Sequence, residues 1–174
     1  MSAVITLTPT TDREWIARMA EEIWWVHYPP IIGEEQVRYM LQLFYSEDAL
    51  QRQMDEGQMF LRIDCNGEGI GFLAYSEKEP GIFFIHKWYI LKALQGKGIG
   101  REVFRLWLDN HPALRYVSLQ VNRNNVQAIC FYERVGFLRE RELNVDIGGG
   151  FFMEDYLMGF SAGQGREKGN REGK

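Results

Sequence analysis

A glycine-rich turn, Gln95-Gly96-Lys97-Gly98-Ile99-Gly100, has the residue types and the spacing of a phosphate-binding loop. Its three glycines stand at alternate positions, and without Cβ atoms they let backbone N–H groups come close to a ligand. The helical pattern that follows would add unpaired N–H groups and the positive end of a helix dipole, which favour a bound phosphate or pyrophosphate. A glycine-rich turn that binds nothing is an equally open interpretation of these six residues.

Spacing excludes two other phosphate-binding loops. A P-loop requires Gly-Lys followed by Ser or Thr, whereas Lys97 is followed by Gly98. The dinucleotide fingerprint Gly-x-Gly-x-x-Gly, counted from Gly96, would need its third glycine where the chain has Arg101. The pattern that remains is Gln-x-x-Gly-x-Gly, from Gln95 to Gly100.

A second block of side chains with chemical potential follows about 25 residues later. It reads Asn-x-x-Ala-x-x-Phe-Tyr-x-x-x-Gly-Phe from Asn125 to Phe137. Part of it is explained by a capped amphipathic helix, with Asn124 or Asn125 as N-cap and Gly136 as a left-handed C-cap. The stripe predicted to be buried consists of Ala128, Phe131, Tyr132 and Val135.

Together and in this order, the two blocks resemble the GNAT superfamily of N-acetyltransferases. The resemblance runs from about Val4 to Phe160 and is carried by Ile85–Arg101 and Asn122–Phe137. It implies an α/β fold, with a mixed, mostly antiparallel central sheet that is splayed between two strands and flanked by helices. It also implies direct transfer of an acetyl group from acetyl-CoA to an amine, without a metal ion.

The same resemblance implies where acetyl-CoA binds. Its pyrophosphate would lie on the glycine-rich loop, and its pantetheine arm would pair with the backbone of Tyr89 and Ile90 between the splayed strands Phe83–Leu91 and Leu114–Val121. A backbone N–H near Ile90 would bind the oxyanion. The residues implied in cofactor binding are Tyr89, Ile90, Gln95, Gly96, Lys97, Gly98, Ile99, Gly100, Arg101, Asn125 and Tyr132.

Catalytic roles follow from the same resemblance. Tyr132 occupies the position of the tyrosine that protonates the leaving thiolate, and Asn125 that of the residue that hydrogen-bonds pantetheine. His86 is the candidate base, because histidine removes protons near neutral pH and some small-amine acetyltransferases carry a histidine there. Phe84 replaces the glutamate that other relatives use. A chain of water molecules without a single base is an open alternative, and further candidates are His27, Tyr28, Glu34 and Gln36.

Seven strands and five helices are predicted to position these residues. A Thr11–Glu14 capping box would open the first helix, and Pro29-Pro30 would end it. Ser46 would cap a third helix, which Gly57 would close, and Asn66-Gly67 would form a hairpin turn. The predicted strands are Ala3–Thr8, Met59–Asp64, Ile70–Tyr75, Phe83–Leu91, Leu114–Val121, Phe137–Ile147 and Phe151–Phe160.

Composition suits one domain over residues 1–160, with a disordered tail at 161–174. The chain has 174 residues, 45% of them hydrophobic, and a net charge of −4, which argues against general nucleic-acid binding. The sequence contains no apolar run long enough to indicate a membrane segment. Cys65 and Cys130 show no metal or disulfide spacing, so we expect a cytoplasmic protein; a homodimer is left open.

The acceptor is predicted to be a small cationic amine. Residues 1–57 hold ten acidic and only four basic side chains, all Arg, and an acidic wall would attract a cation. Trp24, Trp25, Tyr28 and Tyr39 could add cation–π contacts. Three alternatives remain open: the carboxylates are only solvated helix faces, the acceptor is a protein, or the fold is a non-catalytic acyl-CoA sensor.

Overall fold

The computed structural model describes residues 3–163. Its elements alternate as a mixed α/β fold, and the two residue blocks singled out above lie at strand-to-helix junctions. The elements are β1 (Ile5–Pro9), α1 (Arg13–His27), α2 (Pro29–Ile32), α3 (Glu34–Tyr45), α4 (Glu47–Asp55), β2 (Met59–Cys65), β3 (Glu68–Glu79), β4 (Ile82–Ile90), a 3₁₀ turn (Lys92–Leu94), α5 (Ile99–Asp109), β5 (Tyr116–Asn122), α6 (Val126–Val135), β6 (Leu138–Gly148) and β7 (Phe151–Ser161).

The strands form a seven-stranded sheet in the order β1-β2-β3-β4-β5-β7-β6. β4 and β5 run parallel over Ile82–Ile85 and Tyr116–Leu119. The pairs β1–β2, β2–β3, β5–β7 and β6–β7 are antiparallel. The prediction of a mixed, mostly antiparallel sheet flanked by helices is therefore confirmed.

The described chain divides into two compact units. Among the described residues, the first contains 3–76 and 86–110, and the second contains 77–85 and 111–163. The first unit includes β1, β2, most of β3 and helices α1 to α5. The second includes β5, α6, β6 and β7, together with the beginning of β4.

In the first unit, helix caps and a tight turn fix the element boundaries. Ser46 accepts a hydrogen bond from the N–H of Ala49 at 3.3 Å, as predicted for the start of α4. Asn66 and Gly67 both have positive φ, 53° and 86°, which is the left-handed pair that a two-residue hairpin requires.

The capping-box prediction for α1 is wrong by one residue. The N-cap is Asp12, whose Oδ1 accepts from the N–H of Trp15 at 3.0 Å. Thr10 Oγ1 instead accepts from the N–H of Asp12. A carboxylate at the N-cap also interacts favourably with the helix dipole, so the aspartate is the stronger cap of the two candidates.

Other boundaries differ by a few residues. Pro29 and Pro30 end α1 as expected but also open the short helix α2, because proline is well suited to the first helical position. β1 includes Pro9, one residue past its predicted end, and β3 extends to Glu79, four residues past its predicted end at Tyr75. β7 ends at Ser161, one residue past the expected end of the domain, and residues 164–174 of the predicted tail lie outside the described part.

In the second unit, one face of the β5–β7 ladder is apolar. Val117, Leu119 and Val121 of β5 are buried, and Met158 of β7 is fully buried beside them. Of α6, Ile129 is the buried residue, whereas Ala128, Phe131, Tyr132 and Val135 of the predicted stripe are half-buried. Cys130 is exposed. β6, at the end of the strand order, is almost entirely exposed.

Candidate active site in two units

The glycine-rich loop of the first unit has an open backbone. Gly96 and Gly98 have φ values of 75° and 79°, in the left-handed region that side chains disfavour. A Cβ atom added at either glycine would have no neighbour within 4 Å, so the space beside this backbone is open. Gln95 holds the loop to β4, since its Nε2 donates to the carbonyl of Ile90 at 2.9 Å.

Helix α5 begins at this loop without a side-chain cap. Its N-cap is Gly98, which has no side chain to accept from the first turn. The N–H groups of Ile99, Gly100 and Arg101 therefore start the helix, together with the positive end of its dipole. An uncapped first turn of this kind can bind an anionic group.

The end of β4 is held close to β3 by a glycine that the sequence analysis missed. A Cβ atom at Gly71 would lie 2.1 Å from the carbonyl oxygen of Tyr89 and 2.9 Å from Cα of Ile90. Only glycine permits this approach. The N–H of Leu91 also donates to the carbonyl of Ile70 at 2.9 Å, so the backbone implied in pantetheine and oxyanion binding is fixed in position.

His86 is hydrogen-bonded to a buried serine. Its Nε2 lies 2.7 Å from Oγ of Ser76, which is only 5% exposed. If Nε2 donates to Ser76, the proton is fixed on Nε2 and Nδ1 is left as the basic nitrogen. The serine is a further residue that sequence spacing did not indicate, because the pair joins two strands.

Aromatic rings surround Trp24 in the first unit. Its ring centroid lies 4.4 Å from Tyr28, 5.7 Å from Tyr45 and 5.8 Å from Tyr89. Burial, with the nearby Tyr28, raises the pKa of Tyr45 well above its ordinary value. Trp25, by contrast, lies under the guanidinium of Arg38 at 5.6 Å, so the protein's own cation already covers it.

A buried lysine lies beside this aromatic group. Lys87 donates to Oε1 of Gln53 at 2.5 Å and of Gln58 at 3.1 Å. Its ammonium lies 5.3 Å from the ring of Phe60 and 5.8 Å from that of Tyr45. Burial lowers the pKa of Lys87 to about 7, because no carboxylate offsets the loss of hydration.

The second unit contains Asn125 and Tyr132, seven residues apart on the same helix. Asn125 is the N-cap of α6, where its Oδ1 accepts from the N–H of Ala128 at 3.3 Å. Tyr132 packs against Phe131 and Phe137 at 5.6 and 5.9 Å. Loss of hydration raises the pKa of Tyr132 well above its ordinary value, so its hydroxyl stays protonated.

The predicted site residues therefore form two sets. The first unit brings together the loop, its following turn, the end of β4 and His86. The second unit carries Asn125 and Tyr132 on one helix. Within residues 3–163, no helix has the length and apolar character needed to cross a membrane.

Comparison with known proteins identifies the family. The model of the acetyltransferase (GNAT) family matches residues 17–137, which is well over half of the chain. The chain belongs to the GNAT family. Its glycine-rich loop and α6 both lie inside the matched region.

Two curated relatives from Bacillus subtilis match part of the chain. The spermine/spermidine N(1)-acetyltransferase of strain 168 is 26% identical over 88 residues, and the probable spermine N(1)-acetyltransferase of the natto strain BEST195 is 27% identical. Each match covers 45% of this chain and 58% of the relative, so the chain spans little more than half of their length.

A solved structure shows the same fold over nearly its whole length. The PaiA N-acetyltransferase from Thermoplasma acidophilum, in complex with coenzyme A, has a TM-score of 0.71 and 22% identity. The match covers 92% of this chain and 99% of that protein. The likeness extends the assignment of the GNAT fold beyond residues 17–137.

Proposed function

We propose that this GNAT protein transfers an acetyl group from acetyl-CoA directly to a primary amine of a small cationic molecule. The observation that carries the proposal is the uncapped first turn of α5, opened by two glycines with positive φ and with open space beside them. A pyrophosphate fits that chemistry because its charge and its acceptor oxygens match unpaired N–H groups. The Thermoplasma protein of the same fold is in complex with coenzyme A.

In the first unit, binding of acetyl-CoA would use the glycine-rich loop and the end of β4. The N–H groups from Gly96 to Arg101 would bind the pyrophosphate, with Gln95 fixing the loop through Ile90. The backbone of Tyr89 and Ile90 would pair with pantetheine, and the close approach at Gly71 keeps that backbone in place. Asn125 would hydrogen-bond pantetheine in addition to capping α6.

Acid chemistry is assigned to Tyr132. The thiolate of CoA leaves as the amide forms, and a phenol that stays protonated can donate to it. The raised pKa of Tyr132 keeps the proton available throughout the neutral range. Its hydroxyl is regenerated when the proton from the amine returns through solvent.

Base chemistry is assigned to His86. The incoming amine arrives as an ammonium with a pKa near 10 and must lose a proton before it attacks. With Nε2 donating to Ser76, Nδ1 of His86 would accept that proton. A chain of water molecules is the competing route, and it predicts that rates depend little on this residue.

Three observations favour a small cationic acceptor. The partial relatives are named for spermine and spermidine acetylation. The ten acidic side chains of residues 1–57 are all exposed, so they can attract a cation from solution. The half-buried rings of Tyr28 and Tyr89 lie 6.5 Å apart and can pack against an alkylammonium chain.

The activity is proposed to operate in the cytoplasm, which the two free thiols, Cys65 and Cys130, suit. A homodimer remains a possibility that the sequence analysis left open.

The test of the proposed activity is release of CoA thiol from acetyl-CoA with spermidine, tyramine, a neutral-tailed amine and a lysine-containing peptide. Acetylated spermidine, identified by mass, is the expected product, whereas exclusive acetylation of the peptide would indicate a protein acetyltransferase. Tight acetyl-CoA binding without thiol release would indicate a sensor.

A further inference from the structure

We propose that the aromatic residues around Trp24 form a subsite for a second ammonium group of the acceptor, one that is not acetylated. Tyr28 and Tyr89 would contact this ammonium group, and Tyr45 would be the positioning residue that orients Tyr89. The inference rests on the proposed function and deepens it, because it assigns acceptor specificity to residues of the first unit. The sequence analysis did not single out Tyr45.

The aromatic group has a buried layer and a more exposed rim. Trp24 and Tyr45 are only 3% and 5% exposed, and Phe72 is fully buried. The ring centroid of Phe72 lies 6.0 Å from that of Tyr45 and 5.6 Å from that of Tyr89. Tyr28 and Tyr89, which we call the rim, are half-buried, with ring centroids 6.5 Å apart. A ligand from solution can therefore reach the rim, while the buried rings support it.

Both rim residues are held in place by backbone contacts. The carbonyl oxygen of Tyr89 lies so close to Gly71 that only glycine fits there, and this backbone is the one proposed to pair with pantetheine. Tyr28 is the C-cap of α1, where its N–H donates to the carbonyl of Trp24 at 2.9 Å. The rim is thus ordered before a ligand arrives, which lowers the entropic cost of binding.

Tyr45 determines how the hydroxyl of Tyr89 is oriented. Burial and the nearby Tyr28 raise the pKa of Tyr45, whereas Tyr89 and Trp24 lower it, as hydrogen-bond donors to its oxygen do. Within residues 3–163 the indole N–H of Trp24 has no acceptor at hydrogen-bond distance, so Tyr89 is the closer donor. A phenol has one proton and two lone pairs. Because Tyr89 gives its proton to Tyr45, it presents its oxygen as an acceptor.

This chemistry suits an ammonium group that stays charged. The face of an aromatic ring attracts a cation, and a phenol oxygen accepts from its N–H groups. Both contacts favour the protonated form, whereas the reacting amine has to lose its proton. A second ammonium group of the same molecule fits better, as in a polyamine.

A basic side chain, Lys87, lies near this subsite. Its Nζ is 5.8 Å from the centroid of the Tyr45 ring. Burial lowers the pKa of Lys87 to about 7, so at pH 8 most of these amines are uncharged and do not repel a cationic ligand. Binding is therefore best measured at pH 8.

The test compares Tyr28→Leu, which removes a rim ring, with Tyr45→Phe, which removes only a hydroxyl. At pH 8 the KM for spermidine should rise about 3- to 30-fold in Tyr28→Leu and about 3- to 10-fold in Tyr45→Phe. The KM for a neutral-tailed amine, the KM for acetyl-CoA and kcat should stay within about twofold. Equal rises for both amines would overturn the subsite, because they would show that these residues act on the reacting amine or on the fold.

Tyr75→Phe is the control variant. Tyr75 packs against Trp107 of α5 at 5.4 Å. It is three residues from Phe72 on β3, so the two side chains point to opposite faces of the sheet. This variant loses a hydroxyl of the same unit and should leave the KM for spermidine unchanged.

Calorimetric titration of spermidine into the CoA-bound protein separates this inference from the proposed activity. An affinity that falls in Tyr28→Leu and Tyr45→Phe but not in Tyr75→Phe supports the subsite, even if no amine is acetylated. The difference should persist at high salt, which screens the exposed carboxylates of residues 1–57. A difference that vanishes at high salt, or an unchanged affinity in folded Tyr28→Leu, overturns the subsite and leaves acetyl transfer standing. Wild-type protein that binds no spermidine also overturns it.

Discussion

Helices α5 and α6 follow β4 and β5, the two strands that pair in parallel, yet they begin in opposite ways. α6 satisfies its own first turn, since Asn125 accepts from Ala128. α5 begins at Gly98, has no side-chain cap, and has open space beside its backbone. A side-chain cap satisfies one of the free N–H groups at the start of a helix, whereas an uncapped first turn leaves them all available to an anion.

The two units also contain one unusual buried charge each. Lys87 of the first unit has hydrogen bonds to two neutral amides, and no carboxylate of residues 3–163 forms an ion pair with it. Asp155 of the second unit has neither a hydrogen bond nor an ion pair within residues 3–163. Burial moves both pKa values toward neutrality, to about 7 for Lys87 and about 6 for Asp155. The lysine is satisfied internally, and the aspartate is not.

The largest expected effect is at the uncapped helix. Gly98→Val places a branched side chain at φ 79°, beside the backbone proposed to bind pyrophosphate. We expect the thermal shift caused by acetyl-CoA to disappear. Gly33→Val is the matched control, because Gly33 is also an N-cap, has φ 81° and has nothing within 4 Å of its Cβ position. Equal thermal shifts in folded Gly98→Val and wild-type protein would rule out this binding site.

On α6, the helix with a side-chain cap, Tyr132 should instead affect the turnover rate. Tyr132→Phe removes the proposed proton donor and should lower kcat by about 10²- to 10⁴-fold, the usual contribution of general acid catalysis. The affinity for acetyl-CoA should change little. Tyr116→Phe, which removes a hydroxyl that donates to Glu140 in the same unit, is the control. A kcat unchanged at saturating amine would show that Tyr132 only packs.

The buried lysine predicts an unusual pH dependence of stability. The pKa of Lys87 falls from 10.5 to about 7 on folding, so the unfolded chain binds the extra proton between these values. Stability should therefore rise as pH increases from about 7 toward 10. Lys87→Met should remove this rise and stabilise the protein at pH 6 by about 1–4 kcal/mol. Urea unfolding at pH 6 and pH 9 measures the unfolding free energy of both proteins. Parallel pH profiles for wild type and Lys87→Met would refute the lowered pKa of Lys87.

The smallest effect separates the two roles of Asn125. Asn125→Ala loses the cap of α6 and should cost about 1 kcal/mol of stability, whereas Asn125→Asp keeps an acceptor for Ala128. If Asn125 also binds pantetheine, both variants should have a lower affinity for acetyl-CoA, because neither retains the amide donor. Normal acetyl-CoA affinity in Asn125→Asp would restrict this residue to capping.

Local patterns were enough to predict the longer helices, most strands and the glycine-rich turn that opens α5. Three of these features depend on backbone preferences within a few residues, which short stretches of sequence encode. They are the glycine spacing from Gln95 to Gly100, the Asn66-Gly67 turn and the Ser46 cap. The same locality explains the error at Thr11, since two adjacent residues could cap α1 and the Thr-x-x-Glu spacing pointed to the weaker cap of the two.

Only the tertiary structure revealed residues whose importance depends on distant neighbours. Ser76 is ten residues from His86, and Gly71 matters because another strand approaches within contact distance. Lys87 looks like an ordinary strand lysine until burial and two glutamine partners are known. Asp155 looks like an ordinary strand aspartate until its burial is known, together with the register that turns it away from Glu142 and Glu154, the partners of Arg123. Burial, register and pairing arise when the chain folds, and a linear pattern does not contain them.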